Sequence, residues 1–548
     1  MPDKTQPDTP VRPWLILALV SVPIFIGALD LTIVSAVLPA VLTDLQIPVQ
    51  TGLDDAAWVV SGYLLAYTLS MTFMGRLSDL LGRRKIYIIS LLIFIAGSAL
   101  VALAPGAPAE VAYRIWQALG STQADRSYMG LYALIFGRVI QAFGAGALVP
   151  ISMALVGDIF PPGKRSLPLG VLGGVDTAGW VLGHLYGGIM VQFFPWPVLF
   201  WLNIPLALIA LAATIWALKD LETPRIKARF DWLGAALIIL GLTGLNLALN
   251  VGADPSPGLS MEQFESQPYI SIPFLLIAAL FLIGFVVVQR RSSSPLINLS
   301  SFTQRNVSVA FLANFLIGFC IMAGLVSVPL YMNTVPTALY GLDQESAALL
   351  AGILLSALTI PMALASVLGG RLAERLGFRW TTVLGAAMAA VGFWLMSLWT
   401  VDQSEAVVLW SQEGFRTALL SGTVRMISGL LLTGIGIGLT ISPIATAVIE
   451  AVKDDERGIA AGLVIVMRLI GMTISISGLT TYGLRRSLSL RVEGLEGVDF
   501  TDFATQTQVL VDSTTQVIGE MALVASAVAL AAALVSLGLD NRSTNPDM

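Results

Sequence analysis

One cysteine and one histidine are all that 548 residues provide of the side chains that most often bind transition metals. Cys320 stands in an apolar stretch with no second cysteine, which excludes a disulfide within the chain. A His/Cys metal centre lacks its ligands for the same reason. No His-Glu-x-x-His, Gly-x-Ser-x-Gly or Walker-type loop occurs, so hydrolysis and ATP use have no visible machinery. No enzyme activity, metal, organic cofactor or nucleic-acid partner is expected. Charge is scarce as well: 12% of residues are Asp, Glu, Lys or Arg, against about 25% in an ordinary soluble chain. That leaves too little polar surface to coat a water-soluble fold.

What fills the chain instead is apolar. Hydrophobic residues make up 56% and the mean hydropathy is +0.82. They come in continuous blocks long enough to cross about 30 Å of hydrocarbon as helix. Blocks near 14–42, 54–74, 85–104, 130–157, 168–193 and 197–218 form a first set of six. Blocks near 231–251 and 270–289 follow. A second set of six lies at 308–333, 346–369, 380–400, 422–450, 459–483 and 514–538. The blocks are continuous rather than alternating, which argues against a membrane β-barrel. The first is too long for a signal-peptide core and continues past an acid, so it is read as retained.

Short loops set the orientation. Arg76, Arg83, Arg84 and Lys85, then Lys164 and Arg165, lie on one side, as do Lys219, Arg225, Lys227 and Arg229. Arg290, Arg291 and Arg305, then Arg371, Arg375 and Arg379, continue the series. The intervening connections 252–269 and 334–345 contain no Lys or Arg. The positive-inside rule then puts both termini in the cytoplasm, with Arg485, Arg486 and Arg491 as an exception outside. The expected fold is an all-α membrane protein. A tail at 1–13 precedes a six-helix bundle at 14–218, and a two-helix linker occupies 219–307. A second six-helix bundle at 308–538 and a tail at 539–548 complete it.

A repeat supports this division. Gly75-Arg-Leu-Ser-Asp-Leu-Leu-Gly-Arg-Arg84 recurs as Gly370-Arg-Leu-Ala-Glu-Arg-Leu-Gly-Phe-Arg379. Gly75 matches Gly370, Arg76 matches Arg371 and Asp79 matches Glu374. Gly82 matches Gly377 and Arg84 matches Arg379, while Arg83 belongs to the first copy only. Both copies follow the second helix of a six-helix set, as in parallel-repeat transporters. Glycines permit close approach, and the acid and arginines can make and break pairs as a gate works. The alternative is that the arginines only anchor topology.

Leu29-Asp-Leu-Thr-Ile-Val34, Gly75 to Lys85, Gly137-Arg-Val-Ile-Gln141 with Gly144 and Gly146, the glycine-rich 173–188 and Phe200-Trp-Leu-Asn-Ile-Pro205 all stand in the first set of six blocks and its loops. On these stretches the sequence resembles the major facilitator superfamily, and more narrowly its fourteen-helix drug:proton antiporters. Gly462 to Met472, Tyr482-Gly-Leu-Arg485 and Gly183-His-Leu-Tyr-Gly187 resemble the mycobacterial efflux pumps that export triacylglycerides with a lipoprotein partner. The resemblance implies two six-helix bundles plus two linker helices in a bacterial cytoplasmic membrane. It implies proton-coupled, alternating-access export driven by the proton gradient, with lipid or a lipid-like amphipath as cargo. A broad drug:proton antiporter is the alternative, and a non-transporting receptor a remote one. Antiporters of this kind carry Gly-Pro where this chain has Gly183-His184, so the proline bend is absent. Gly179, Gly183 and Gly187 still fall four apart on one helix face, suited to close packing.

Five ionisable residues stand out well inside the apolar blocks: Asp30, Arg138, Asp176, His184 and Arg468. Each costs about 2.5–3.5 kcal/mol if left facing lipid, so each is expected to pair or to face a cavity. Asp30 and Asp176 belong to the first set of helices and Arg468 to the second. A pair between Arg468 and one or both acids in one conformational state would let a proton shift the preferred state; a fixed structural ion pair is the alternative. Arg138 serves the proton route, as the family pattern implies, or holds its helix by hydrogen bonds. Trp180 and His184 either line a cavity or pack. Asp158 and Glu450 lie near helix ends, where solvated or capping roles are the default. Leu484, Leu488, Val492 and Leu495 recur at helical spacing beside Arg485, Arg486 and Arg491. They read as an amphipathic helix leaving the bilayer, a possible lipid path, or as a loop broken by Gly494 and Gly497. The connections 105–129 and 401–421 are long enough for short interfacial helices.

Overall fold

The computed structural model describes residues 13–47, 49–118, 125–219, 221, 231–250, 270–292, 295, 303–342, 344–401, 423–496 and 502–541. Fifteen α-helices account for most of them. They are α1 (Pro13–Asp44), α2 (Val49–Leu81), α3 (Arg83–Leu103), α4 (Ala107–Ala118), α5 (Arg126–Gly146) and α6 (Leu148–Ile159). Next come α7 (Ser166–Phe193), α8 (Pro197–Ala217), α9 (Trp232–Asn250), α10 (Ile272–Arg291) and α11 (Arg305–Tyr340). The last are α12 (Gln344–Ser397), α13 (Thr423–Ala451), α14 (Arg457–Leu495) and α15 (Phe503–Ser536). The apolar blocks of the sequence fall on these helices, with 130–157 divided between α5 and α6 and with 346–369 and 380–400 both on α12, because a chain in hydrocarbon must satisfy its backbone within its own helix. Among the described residues, ten helices are long and apolar enough to cross a membrane.

Local sequence explains the breaks. Asp125 caps α5 by accepting the Ser127 amide, and Asp502 caps α15 through the Thr505 amide. Gly82 separates α2 from α3 with φ +96°, and Gly377 bends α12 with φ +82°. Both repeat loops therefore turn on a left-handed glycine at the same register, so the sequence repeat is also a backbone repeat. The 105–129 connection holds a short helix, α4, whose Val111, Ile115 and Trp116 are exposed. The 401–421 connection lies outside the described residues apart from Val401, and the connection 252–269 lies outside them entirely. The 334–345 connection is shorter than the sequence suggests, since α11 runs on to Tyr340 before Gly341 ends it in the left-handed region.

The chain forms two compact units. The first contains residues up to Phe230 together with Val452–Leu463. Within it α1 packs on α7 and α8, α3 on α5 and α8, and α2 on α5. The second contains Asp231–Ala451 and Val464–Thr544. There α12 packs on α13 and α15, α11 on α15, and α9 and α10 on each other.

Candidate functional site

A closed polar network occupies the middle of the first unit. Asp30 on α1 and Arg138 on α5 are both fully buried, with Arg138 Nη1 2.5 Å from Asp30 Oδ2. Gln141 Nε2 and Asn203 Nδ2 both donate to Asp30 Oδ1, at 3.0 and 2.7 Å. Arg138 Nη1 also donates to Gln141 Oε1 at 2.8 Å, and Gln141 Nε2 to Ser98 Oγ at 2.9 Å. The guanidinium lies 3.9 Å from the centroid of the Tyr63 ring. Helices α5 and α8 thus converge on the α1 carboxylate, α3 joins through Ser98 and Gln141, and α2 adds an aromatic face. Such a network is sustainable in apolar surroundings only because nearly every charge is met by a partner of opposite sign or a directed dipole.

Two of these partners, Gln141 and Asn203, have no role in the sequence reading, although both stand inside the quoted stretches. A lone amide in an apolar helix was the available signal. The structure gives Arg138 the task of holding the Asp30 carboxylate. Asp176, on α7, is buried in the same unit, whereas Arg468, on α14, belongs to the second unit.

The face of α7 opposite solvent explains its glycines. A Cβ at Gly179 would stand 2.6 Å from the Ala28 Cβ and 2.8 Å from the Phe25 carbonyl oxygen of α1. A Cβ at Gly183 would collide with Thr32 Oγ1 and the Leu29 carbonyl oxygen. Thr32 Oγ1 itself donates to the Trp180 carbonyl at 2.9 Å, so the α1–α7 seam is bonded as well as close. Gly187 is buried one turn on, Trp180 is half-buried, and the His184 side chain lies outside the described residues. Gly183→Ala is expected to destabilise the protein by about 1–3 kcal/mol through overpacking beside Asp30. Thermal unfolding in detergent checks this, with Gly188→Ala, which meets nothing within 4 Å, as the silent control.

The first repeat loop builds a second charge cluster in the same unit. Asp79 accepts from Arg83 Nη1 at 2.7 Å and from the Gly458 and Ile459 amides at 3.0 and 3.2 Å. Those amides are the unsatisfied first-turn donors of α14, so Asp79 caps that helix from outside and meets the positive end of its dipole. Arg83 Nε pairs with Asp158, which also receives Arg457 Nη1 at 3.1 Å. Arg457 reaches back to Asp454 at 2.6 Å, and Arg76 donates to the Asp455 carbonyl at 3.3 Å. Asp158 is therefore no solvated helix end: it is nearly buried and joins two arginines 374 positions apart in sequence, Arg83 and Arg457. Burial pushes the Asp79 carboxyl up to about 6, with Arg83 and Arg76 pulling it back, so it is mostly ionised at neutral pH. A Cβ on Gly75 would approach the Gly458 carbonyl oxygen to 2.5 Å.

The second copy is built differently. Arg371 and Glu374 are exposed, and Gly370 is buried. The Arg379 backbone amide donates to Asn541 Oδ1 at 3.0 Å, and Asn541 also covers Gly377. Arg84 of the first copy instead reaches the carbonyls of Ile215 and Lys219 at the end of α8. The residue that organises the first cluster, Arg83, is Phe378 in the second, so no buried guanidinium is available there to draw acids inward.

At the far end of α14 the helix stays continuous through Gly494 to Leu495. Leu484 and Leu488 are half-buried, while Val492 is 61% exposed and Leu495 is exposed. Arg486 turns to Glu520 of α15 at 3.3 Å, where Tyr482 also donates at 2.6 Å. Residue 497 lies outside the described set. Among the described residues no group of His, Cys, Asp and Glu could hold a metal ion.

Three comparisons bear on this geometry. The sequence model of the Major Facilitator Superfamily matches residues 20–476. A protein named triacylglyceride transporter from Mycolicibacterium hassiacum is 32% identical over 84% of this chain and 78% of its own length. A triacylglyceride transporter of Mycobacterium tuberculosis is 31% identical over 85% of this chain and 82% of its own. Among solved structures, the human organic anion transporter MFSD10 aligns over 97% of this chain and all of its own, with TM-score 0.54 and 14% identity. The proton:xylose symporter XylE aligns over 94% of each chain, with TM-score 0.51 and 14% identity.

Proposed function

This chain belongs to the Major Facilitator Superfamily, and we propose that within it the chain is a proton-coupled, alternating-access exporter of lipids or lipid-like amphipaths. Membership makes it a multi-pass membrane transporter rather than an enzyme. The observation that carries the coupling is the fully buried Asp30 carboxylate held by Arg138, Gln141 and Asn203. A proton on Asp30 cancels its charge and releases Arg138, which then favours a different arrangement of the helices that carry the network. Asp176 and Arg468 supply further charges to the same relay in another conformational state. The docking of Val452–Leu463 against the Gly75–Arg84 loop is the contact that opens and reforms during the cycle. The membrane is the bacterial cytoplasmic one, with both termini inside.

Lipid cargo is supported by the relatives named triacylglyceride transporters and by the length of α14. An acyl chain exposed to water costs about 0.8 kcal/mol per methylene, which forbids a free aqueous step for a long chain. The stripe Leu484, Leu488, Val492 and Leu495 offers an apolar path toward the outer leaflet or toward a lipoprotein carrier. Arg485 and Arg491 meet head groups, and Arg486 is engaged with Glu520. Leu488→Asp with Val492→Asp is expected to abolish lipid export from proteoliposomes and leave efflux of a small dye largely intact. Equal loss of both would trace the effect to folding; full retention of lipid export would assign the chain to broad drug efflux.

A further inference from the structure

The connection between α3 and α5 carries a surface that the transport cycle does not use. α3 leaves the first repeat loop at Gly82 and runs 21 residues to Leu103, about 31 Å and one hydrocarbon thickness. α4 starts at Ala107, so it stands at the membrane boundary opposite that loop. The spans on either side of it present apolar side chains outward: Leu92 and Leu103 on α3, and Tyr132, Phe136 and Val139 on α5.

α4 is divided lengthwise. Around its axis Val111, Ile115, Pro108, Ala112 and Trp116 occupy one half, while Tyr113, Gln117, Glu110 and Arg114 occupy the other. Val111 and Ile115 are each 56% exposed, and Trp116 is exposed beside them. The helix packs on α5, with Ala109 buried where the two halves meet. Arg126 of α5 stands 5.0 Å over the Tyr113 ring, and its Nη2 lies 3.4 Å from Glu110. Exposed ion pairs contribute little, so the packing at Ala109 and the short link to α3 fix the rotation of α4. That rotation keeps the apolar half uncovered.

Place and charge decide what meets this half. It lies at the depth where acyl chains give way to head groups, the level at which an indole and aliphatic side chains are favourably buried. The connection 105–129 carries two acids, Glu110 and Asp125, and two bases, Arg114 and Arg126. With no net charge it has nothing to select anionic head groups, and its affinity is for the boundary itself.

We propose that α4 is a leaflet-docking helix. It lies in the plane of the boundary with Val111, Ile115 and Trp116 among the upper acyl methylenes. Through Ala109 and Arg126 it holds the first turn of α5, the helix that carries Arg138, at a fixed depth.

The test uses the full-length chain in phosphatidylcholine liposomes. Cys320 is fully buried, so a thiol-reactive nitroxide reports only an introduced cysteine. A label at Ala112→Cys is expected to meet oxygen in preference to a water-soluble nickel chelate, and one at Gln117→Cys the reverse. The ratio of the two accessibilities should differ about tenfold between the positions. Val111→Asp with Ile115→Asp should raise nickel accessibility at Ala112→Cys about fivefold, and a label at Ser127→Cys in the first turn of α5 should follow it toward water. The comparison of the two labels in the otherwise unchanged chain stands even if the aspartate variant fails to fold. Equal nickel accessibility at Ala112→Cys and Gln117→Cys would overturn the proposal and leave α4 in water. Burial that appears only when phosphatidylglycerol is added would overturn it in favour of head-group charge. Spin–spin broadening at Ala112→Cys that dilution with unlabelled chain removes would give the face to a second copy. A Ser127→Cys depth indifferent to a folded aspartate variant would overturn the hold on α5.

Discussion

Asp30→Asn is expected to stop proton-driven export altogether. The substitution keeps the side chain's shape and one acceptor but removes the charge that Arg138 Nη1 meets in a fully buried position. Leaving a buried cation without its partner costs about 3–5 kcal/mol, so the single variant combines loss of coupling with loss of stability. The double variant Asp30→Asn with Arg138→Gln separates the two. It replaces an ion pair by amides able to bond Gln141 and Asn203, and is expected to regain a near-parental unfolding temperature without regaining export. Transport is read in proteoliposomes with an imposed pH gradient. Export by the double variant that still follows the gradient would remove Asp30 from the coupling mechanism. Asp176→Asn, on the neighbouring α7, is expected to give a partial loss.

Gly75→Val is expected to undock Val452–Leu463 from the first repeat loop. The approach of Gly75 to the Gly458 carbonyl leaves no room for even one carbon, and a branched side chain forces the segments apart. Separation strands Asp79 without the Gly458 and Ile459 amides and strands Asp158 without Arg457. The measurement is cross-linking of Arg76→Cys to Asp455→Cys by a short bismaleimide, in a Cys320→Ala background, since the Arg76 side chain reaches the Asp455 carbonyl. Cross-linking should fall at least fivefold, with Asp79→Asn intermediate. Glu374→Gln in the second copy should change it far less, because Glu374 is exposed and no arginine stands where Arg83 does. Unchanged cross-linking in Gly75→Val and Asp79→Asn would return Arg76, Arg83 and Arg84 to the role of topology anchors.

Much of this was readable in the residues alone. Continuous apolar blocks announced helices and a membrane, because no other spanning structure satisfies the backbone in lipid without alternation. The repeated glycine–arginine–acid loop pointed to two related sets of helices, and the structure adds that Gly82 and Gly377 both have positive φ. Asp30 and Arg138 stood out because a charge inside an apolar helix is costly enough to demand a reason.

The sequence by itself determined which residues needed partners; the tertiary structure decided who the partners are. Asp30 meets Arg138 from 108 residues away and Asn203 from 173, distances over which no local pattern or spacing carries information. Asp158 reads as an ordinary helix end until Arg83 and Arg457 close on it, and Gln141 reads as one polar residue among apolar ones. Two loops nearly identical on paper differ in space because Arg83 draws acids into a buried cluster and Phe378 does not. Helix formation is a short-range property fixed by hydrogen bonds within one segment. Charge pairing in an apolar interior depends on which helix faces pack together, and that is settled by the whole fold.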